Sequence, residues 1–597
     1  MLTIERWLTA HQRLILAAIV LVSVLLRVGY FIEIGKSPCA WQHRWDQSDM
    51  HCFNTWAQDI AQGDWLSNNI RPPIHWWHKL LAVQYFHIHP EAVALLKQSK
   101  EADAANFDAI RALWNRWIGS KAFYHEPLYP YLIALTYKAF GTDVRWVFIW
   151  QMLVGITINI LIYLIARRHF GVVVAAVTGF LAVLCSPLLY YNMILLREIL
   201  ITFMGLSLVC LTDLALARGT WRWWLLTGLA CGLAVLLKTT FLLFWLGVLG
   251  LLAYRHRATA RVLVRSIAAL VCGLVISLTP LMARNIAVGV SPLRLPGVGA
   301  VTFILSNTED FPPEGGFFID LKHAPRIMEE TGGRFLPALV ETLKTHSTPW
   351  DYLKLLGRKF AVMWHWYEIP NNTNFYYYRL HSSVLRFTPF TFWILAPLSV
   401  IGLAIAVGRR IPCYSLYLLV LSNMAIMLLF YVISRFRLPL LAALLPFAAL
   451  AIVQITEWIK NRQVTISMGA IAALVLLSFW TMRPLPANIL LIRPADYIMA
   501  YSVHYVHLLQ EAQERQDWSR LAGILEDILR YEPTVVKQMG FLRPPKNQEE
   551  AQLASSFGLI HQQYARALQL ARRPLAALDQ NRRAHELEQA SRGNQAR

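Results

Sequence analysis

The sequence predicts an all-α, polytopic membrane protein, and three observations carry that reading. Hydrophobic residues make up 56% of the 597 residues and charged residues only 15%, against about 25% charge in soluble domains. The apolar residues gather in about eleven stretches close to the ~20 residues a helix needs to cross a bilayer. Lys and Arg then recur in every second short loop between those stretches, which is how membrane proteins mark their cytoplasmic side. The 12% aromatic content excludes a disordered chain. The net charge of +20 is read as loop arginines and contacts to lipid phosphates; no nucleic-acid motif is present, and no nucleic-acid partner is expected.

The expected spans are residues 14–34, 144–166, 170–190, 198–216, 223–237, 239–254, 266–283, 389–407, 413–433, 438–456 and 464–482. The first is too long for a removed signal peptide and lacks a small-residue cleavage site. The pair over 223–254 is one apolar run interrupted only by Lys238-Thr239-Thr240. Arg6 and Arg13 precede the first span, Arg167 and Arg168 follow the second, and Arg218 and Arg222 the fourth. Arg255, Arg257, Arg261 and Arg265 follow the sixth, Arg409 and Arg410 the eighth, and Lys460 and Arg462 the tenth. This parity places the N-terminus in the cytoplasm. It also excludes a span over residues 127–141 (PLYPYLIALTYKAFG), which would invert every later loop; that stretch is expected to be an interfacial or re-entrant helix.

Three large segments are then extracytoplasmic: about 35–143, about 284–388, and the tail from 483. Long loops translocate whatever their charge. The expected organisation is a transmembrane domain over 1–482 and a helical tail over 483–597. In the tail, residues 510–531 and 548–571 read as amphipathic helices, with Leu509, Leu521, Ile524, Leu525, Ile528 and Leu529 on apolar faces, in a loosely tetratricopeptide-like pattern. Of seven cysteines, only Cys39 and Cys52 share an extracytoplasmic segment, where a bridge and two free thiols are equally open. No Cys/His zinc spacing occurs.

Ionisable residues near membrane depth are suspects for function, and here they collect at one face. Asp46 and Asp49 lie in the first extracytoplasmic segment, and His125 and Glu126 just before the interfacial helix. Arg197 and Glu198 start the fourth span, Lys238 turns the fifth into the sixth, Arg284 closes the seventh, and Arg435 and Arg437 precede the tenth. Short outer loops should be poor in Lys and Arg. Snorkelling to headgroups or helix capping would account for single members of the set, but not for their conjunction. Cations and a carboxylate facing one leaflet suit transfer of a sugar from a polyprenyl-phosphate carrier. The phosphate needs Lys/Arg, the prenyl tail an apolar groove, and the acceptor hydroxyl a carboxylate base. Basic side chains, with a divalent ion as an optional addition, would stabilise the leaving lipid phosphate, and attack opposite it would invert the anomeric centre.

The segment DMHCFNTWAQDIAQGDWL (49–66), with Asp49 four residues before Phe53 and eight before Ala57, resembles the aspartate loop of bacterial GT-C glycosyltransferases. These are relatives of dolichyl-phosphate-mannose protein mannosyltransferase and of the lipid A aminoarabinose transferase. HEPLYPYLIALTYKAFG (125–141), QMLVGI (151–156), YYNMILLREIL (190–200), TPLMARNIAVG (279–289), WHWYEIPNN (364–372) and SRFRLPLLAALLPFAAL (434–450) continue the resemblance over roughly 10–482. It implies a GT-C bundle in a bacterial cytoplasmic membrane, with Asp49 as general base and Glu198 as the second acidic residue. It further implies that Arg284, Arg435 and Arg437, with Asp46 and Lys238 nearby, contact the substrates, and that His125 or Glu126 touches a metal. Phe53 stands where the family often has Tyr. The acceptor is a protein, lipid or glycan hydroxyl. The rival readings are an oligosaccharide ligase or polymerase using a lipid-pyrophosphate donor, and a lipid or solute transporter, which would place charges at mid-bilayer and show inverted repeats. The parity scheme has a direct check: a cysteine introduced near residue 590 should react with an impermeant reagent from outside the cell, and protection there would overturn it.

Overall fold

The computed structural model describes residues 2–68, 73–98, 107–486, 489–540 and 543–592. Among them there are helices and isolated bridges but no strand, as expected where lipid offers the backbone no hydrogen bonds. Each of the eleven expected spans is a helix: α1 (Gln12–Gly35), α2 (Arg145–Phe170), α3 (Val172–Val183), α4 (Glu198–Arg218), α5 (Trp221–Leu237), α6 (Phe241–Arg255), α7 (Ala260–Ala287), α8 (Phe392–Gly408), α9 (Tyr414–Leu429), α10 (Ser434–Lys460) and α11 (Val464–Thr481). Six of these (α1, α2, α4, α7, α10 and α11) are long and apolar enough to cross a membrane; the other five are shorter apolar helices. The chain is a multi-pass membrane protein.

The chain forms two compact units. The first comprises Met1–Phe31, Asp46–Asn372 and Val384–Arg483. Its central helix is α10, whose apolar window is 83% buried, against 11% for the peripheral α11. Close helix packing runs through glycines, as is common where small residues let backbones approach. A Cβ on Gly228 of α5 would lie 2.2 Å from the Leu270 carbonyl oxygen, and one on Gly273 of α7 would lie 2.3 Å from that of Leu225. A Cβ on Gly402 of α8 would lie 1.8 Å from the Phe447 carbonyl oxygen of α10. At one end of the bundle the C-terminal ends of α2 and α4 meet the start of α9. There His169 Nε2 lies 2.7 Å from Asp213 Oδ2, and Ser415 donates to Asp213 Oδ1.

The segments joining α1 to α2 and α7 to α8 build one shared hydrophobic core, with Leu81, Trp114 and Trp117 from the first and Ile304, Ile327 and Leu355 from the second. Residues 128–140, expected to be a short non-spanning helix, form the 13-residue helix Leu128–Phe140. The sequence expectation of an unbroken helix over 170–190 is corrected. α3 stops at Val183, and a short helix Ser186–Tyr190 and a 3-10 turn follow before α4. Pro187 supplies the reason, since it has no N–H for the carbonyl four residues back, that of Val183, and its ring would clash with that carbonyl in a continuous helix. The irregular stretch is buried, and its backbone is bonded from α1 and α2. Gln151 Nε2 donates to the carbonyls of Asn192 (3.1 Å) and Ile194 (2.9 Å), Arg27 Nε to Asn192 Oδ1 (3.1 Å), and Tyr30 Oη to the Tyr190 carbonyl (3.2 Å). Non-helical backbone at membrane depth is tolerated only when buried and satisfied in this way.

The second unit comprises Ile32–Trp45, Thr373–Ser383 and Pro484–Arg597. The expected helix over 510–531 is two helices, Val506–Glu514 and Trp518–Arg530. Gln516 takes a left-handed φ of 53°, and Asp517 caps the second helix by accepting from Arg520 N at 2.9 Å. The expected helix over 548–571 is Gln548–Leu570, and it pairs with Pro574–Arg592. Leu509, Leu525, Ile528, Tyr564 and Leu568 close this unit's core. Asn374 Nδ2 donates to Asp496 Oδ2 at 2.7 Å, and Tyr378 Oη to Gln42 Oε1 at 2.9 Å, so the tail and the two shorter pieces form one body. Cys39 and Cys52 are both free thiols.

The glycine contacts give a stability test. Gly402→Ala should destabilise the purified protein by about 1–3 kcal/mol through overpacking. Gly250→Ala in α6, where nothing lies within 4 Å of the new methyl, should be neutral or stabilising by helix propensity. Thermal unfolding in detergent reads both.

Candidate active site

Asp49 opens the helix Asp49–Ala61, capped by Ser48, whose hydroxyl accepts from His51 N at 3.2 Å. A carboxylate in the first helical turn is favoured by the exposed backbone N–H groups there. The Asp49 N–H itself donates to Asn372 Oδ1 at 3.1 Å, and Asn372 Nδ2 returns a hydrogen bond to Asp49 Oδ2 at 2.9 Å. Asn372 holds this two-way clamp from a left-handed backbone, φ 61°, a conformation asparagine tolerates better than most residues. Arg435, in the first turn of α10, donates from Nη1 to Asp49 Oδ2 at 2.7 Å. The same nitrogen lies 3.7 Å from Glu198 Oε1 at the start of α4. His125 Nε2 stands 3.8 Å from Asp49 Oδ1. Both His125 ring nitrogens, Glu198 Oε2 and Arg435 Nε are buried without a hydrogen-bond partner.

Burial alone would raise the Asp49 carboxyl; Arg435, then His125 and His75, outweigh it and hold the group well below the usual carboxylate range. Burial pushes His125 down to about 4, against the opposing pull of Asp49, so the imidazole is neutral at physiological pH. Glu126 would likewise be raised by burial, but Arg197 and the Thr239 N–H bring it to about 2. Its carboxylate is fully engaged: Arg197 Nη1 donates to one oxygen, and Thr239 N and Oγ1 each donate to the other at 2.9 Å. Lys238, between α5 and α6, is buried, and burial lowers it to about 7, with Arg197 acting in the same direction. Its ammonium sits 3.5 Å from the centre of the Phe436 ring.

Beside Lys238 and Arg435 a narrow cleft lies between α4, the α5–α6 turn, α9 and α10, lined by Ile201, Phe241, Phe244, Ile426, Phe436 and Pro439. Thr240, Ser422 and Asn423 also line it.

The structure thus brings together Asp49, His125, Glu126, Glu198, Lys238 and Arg435. Arg284 and Arg437 are placed otherwise. Arg284 donates to the carbonyls of Leu66 (2.8 Å), Ser67 (2.9 Å) and Lys121 (2.7 Å). Arg437 donates to those of His365 (2.6 Å) and Tyr367 (3.0 Å), and pairs with Glu368 at 2.8 Å. Each is spent on tying backbone together and has little left for a substrate phosphate. Asp46 is exposed, within electrostatic reach of His75. His125 and Glu126 do not share a ligand position, because Glu126 is occupied by Arg197 and Thr239; the buried, unpartnered nitrogens of His125 beside Asp49 are the pair that fits a divalent ion. Among the described residues a tighter group with metal-ligand spacing is Glu309, Asp310 and His323, and there Lys322 already bridges both carboxylates at 2.9 and 3.4 Å. Asn372 was not singled out from the sequence. The one signal it offered was a doubled Asn after Pro370 in the WHWYEIPNN stretch.

A family model described as dolichyl-phosphate-mannose-protein mannosyltransferase matches residues 124–283. The matched stretch begins beside His125 and includes Glu126, Arg197, Glu198 and Lys238, so it agrees with the resemblance carried by the sequence motifs. No curated protein matches the chain. Among solved structures, the chain is similar to the apo oligosaccharyltransferase of Archaeoglobus fulgidus (14% identity, TM-score 0.34, covering 75% of this chain and 60% of that one). It is also similar to the archaeal oligosaccharyltransferase AglB of the same organism in complex with an inhibitory peptide and a dolichol-phosphate (13% identity, TM-score 0.34, covering 74% and 55%). A third is ArnT from Cupriavidus metallidurans bound to undecaprenyl phosphate (14% identity, TM-score 0.33, covering 90% and 77%). The chain thus spans 60% and 55% of the length of the two archaeal structures.

The buried imidazole makes the site acid-sensitive. An unfolded histidine titrates near 6.5, so between about 4 and 6.5 the unfolded chain binds a proton that folded His125 refuses. Stability therefore rises with pH through that window, is complete above it, and is lost as the pH falls through it. The contribution is about 3 kcal/mol. Thermal unfolding at pH 7 and pH 4.5 should show a smaller acid-induced loss for His125→Asn than for the unaltered protein.

Proposed function

We propose that the protein is a membrane glycosyltransferase that moves a sugar from a polyprenyl-phosphate donor to an acceptor hydroxyl, on the outer face of a bacterial cytoplasmic membrane. The observation that carries this reading is the cleft lined by both Lys238 and Arg435 and by the apolar Ile201, Phe241, Phe244, Ile426, Phe436 and Pro439, with Arg435 in turn bonded to Asp49. A prenyl chain suits the walls of Phe241, Phe244 and Ile201, and its phosphate suits the two cations. The family match over 124–283 and the neighbour solved with undecaprenyl phosphate are consistent with it. The parity of the basic loops supports the orientation.

Asp49 accepts the proton of the acceptor hydroxyl as its oxygen forms a bond to the anomeric carbon. The bond from that carbon to the phosphate oxygen breaks, and its electron pair leaves with the polyprenyl phosphate, whose growing charge Lys238 and Arg435 stabilise. Attack from the face opposite the phosphate inverts the anomeric configuration. Asn372 keeps Asp49 in place. A divalent ion held by His125 and Asp49 would add positive charge near the leaving group.

Asp49→Asn should lower transfer of labelled sugar from a polyprenyl-phosphate donor in isolated membranes by about 100-fold or more, while the protein still inserts in the membrane. Unchanged turnover would remove Asp49 as the base. Mass spectrometry of glycans, lipids and glycoproteins in a deletion strain identifies the sugar and the acceptor together.

A further inference from the structure

The cation that a donor phosphate needs is, in this structure, already engaged with the carboxylate that an acceptor needs. Arg435 Nη1 lies 2.7 Å from Asp49 Oδ2 and 3.7 Å from Glu198 Oε1, so one guanidinium nitrogen serves two acids. The same side chain lines the cleft next to Lys238, and its buried Nε has no hydrogen-bond partner. Lys238 makes no ion pair among the described residues and rests on the Phe436 ring. One cation is therefore free to meet a phosphate, and the other is bound to a competitor of the same sign as that phosphate.

We propose that Arg435 exchanges partners. A donor phosphate arriving at Lys238 draws the Arg435 guanidinium away from Asp49, and this exchange, which rests on the donor reading above, uncovers the base for the acceptor. The donor phosphate is a diester that carries one negative charge shared by two non-bridging oxygens, and the released polyprenyl phosphate is a monoester of about −1.5 to −2 charge. Either can take a guanidinium through two parallel hydrogen bonds, whereas Asp49 receives a single bond from Nη1 within hydrogen-bond range. The Asn372 clamp keeps Asp49 in register when the arginine leaves, and Glu198 stays within reach of the displaced guanidinium. The order of events follows. Before the donor binds, Asp49 Oδ2 is covered by Arg435 and Asn372. After it binds, the carboxylate has lost its strongest partner and is a better proton acceptor. Arg435 is thus both a donor-binding residue and the timing element of the base.

The test is binding, not turnover. The affinity of the purified full-length protein in nanodiscs for undecaprenyl phosphate is measured for the unaltered chain, D49N, R435Q and the double variant. A neutral Asn no longer competes for the guanidinium, so D49N should bind undecaprenyl phosphate about fivefold tighter or more. R435Q should bind more weakly, and D49N added to R435Q should bring no gain, the non-additivity expected of coupled residues. If R435Q does not fold, R435K keeps a cation, and D49N should still tighten binding in that background. A pair that served structure alone would leave D49N equal to or weaker than the unaltered chain, which overturns the exchange. If the unaltered chain does not bind undecaprenyl phosphate, the donor reading fails and takes the exchange with it; binding without a D49N gain overturns the exchange alone.

Discussion

The site depends on one ion pair, Arg435 with Asp49. It ties the first long connecting segment to the opening turn of the central helix α10. Asn372 joins it from the end of the second connecting segment, 323 residues away from Asp49 in sequence. Removing charges from water is costly, and the cost is offset only where the remaining hydrogen-bonding capacity is met. Here it is met for Asp49 by a guanidinium and a carboxamide. It is left incomplete for Glu198 Oε2, Arg435 Nε and the His125 ring, and buried polar atoms without partners are uncommon in folded proteins. They stand around the Asp49–Arg435 pair, where a polar ligand would supply what they lack.

Much of the bundle was legible in the sequence, because lipid imposes a simple rule: an apolar stretch of sufficient length becomes a helix that satisfies its own backbone. Ten of the eleven segments follow it. The rule fails where polar groups supply a different solution. The 170–190 stretch is as apolar as its neighbours, yet it breaks before Ser186-Pro187, and Gln151 and Tyr30 on other helices take up carbonyls of the irregular stretch that follows. In the tail, one apolar stripe reads as a single helix, while Gln516 and Asp517 interrupt it through a left-handed residue and a cap. Such breaks depend on single residues, not on periodicity.

The site was legible in part. Charge at the ends of spans pointed to Asp49, Glu198, Lys238, Arg435, His125 and Glu126, and these meet in space. The same criterion also selected Arg284 and Arg437, which the fold uses as backbone ties. Composition does not separate the two uses, because a guanidinium that bonds three carbonyls and one that faces a phosphate are the same residue at the same depth. Asn372 was missed for the opposite reason: it carries no charge, and its importance comes from a contact with no local trace.

The buried irregular stretch between α3 and α4 has a consequence for biosynthesis. Arg197 and Glu198 stand at its end, and the groups that hold its Tyr190, Asn192 and Ile194 carbonyls sit on the two helices made first, α1 and α2. The opening of α4, with Arg197 and Glu198, is therefore braced by helices that leave the ribosome before it, and the chain's opening third acts as an internal mould for the centre built after it.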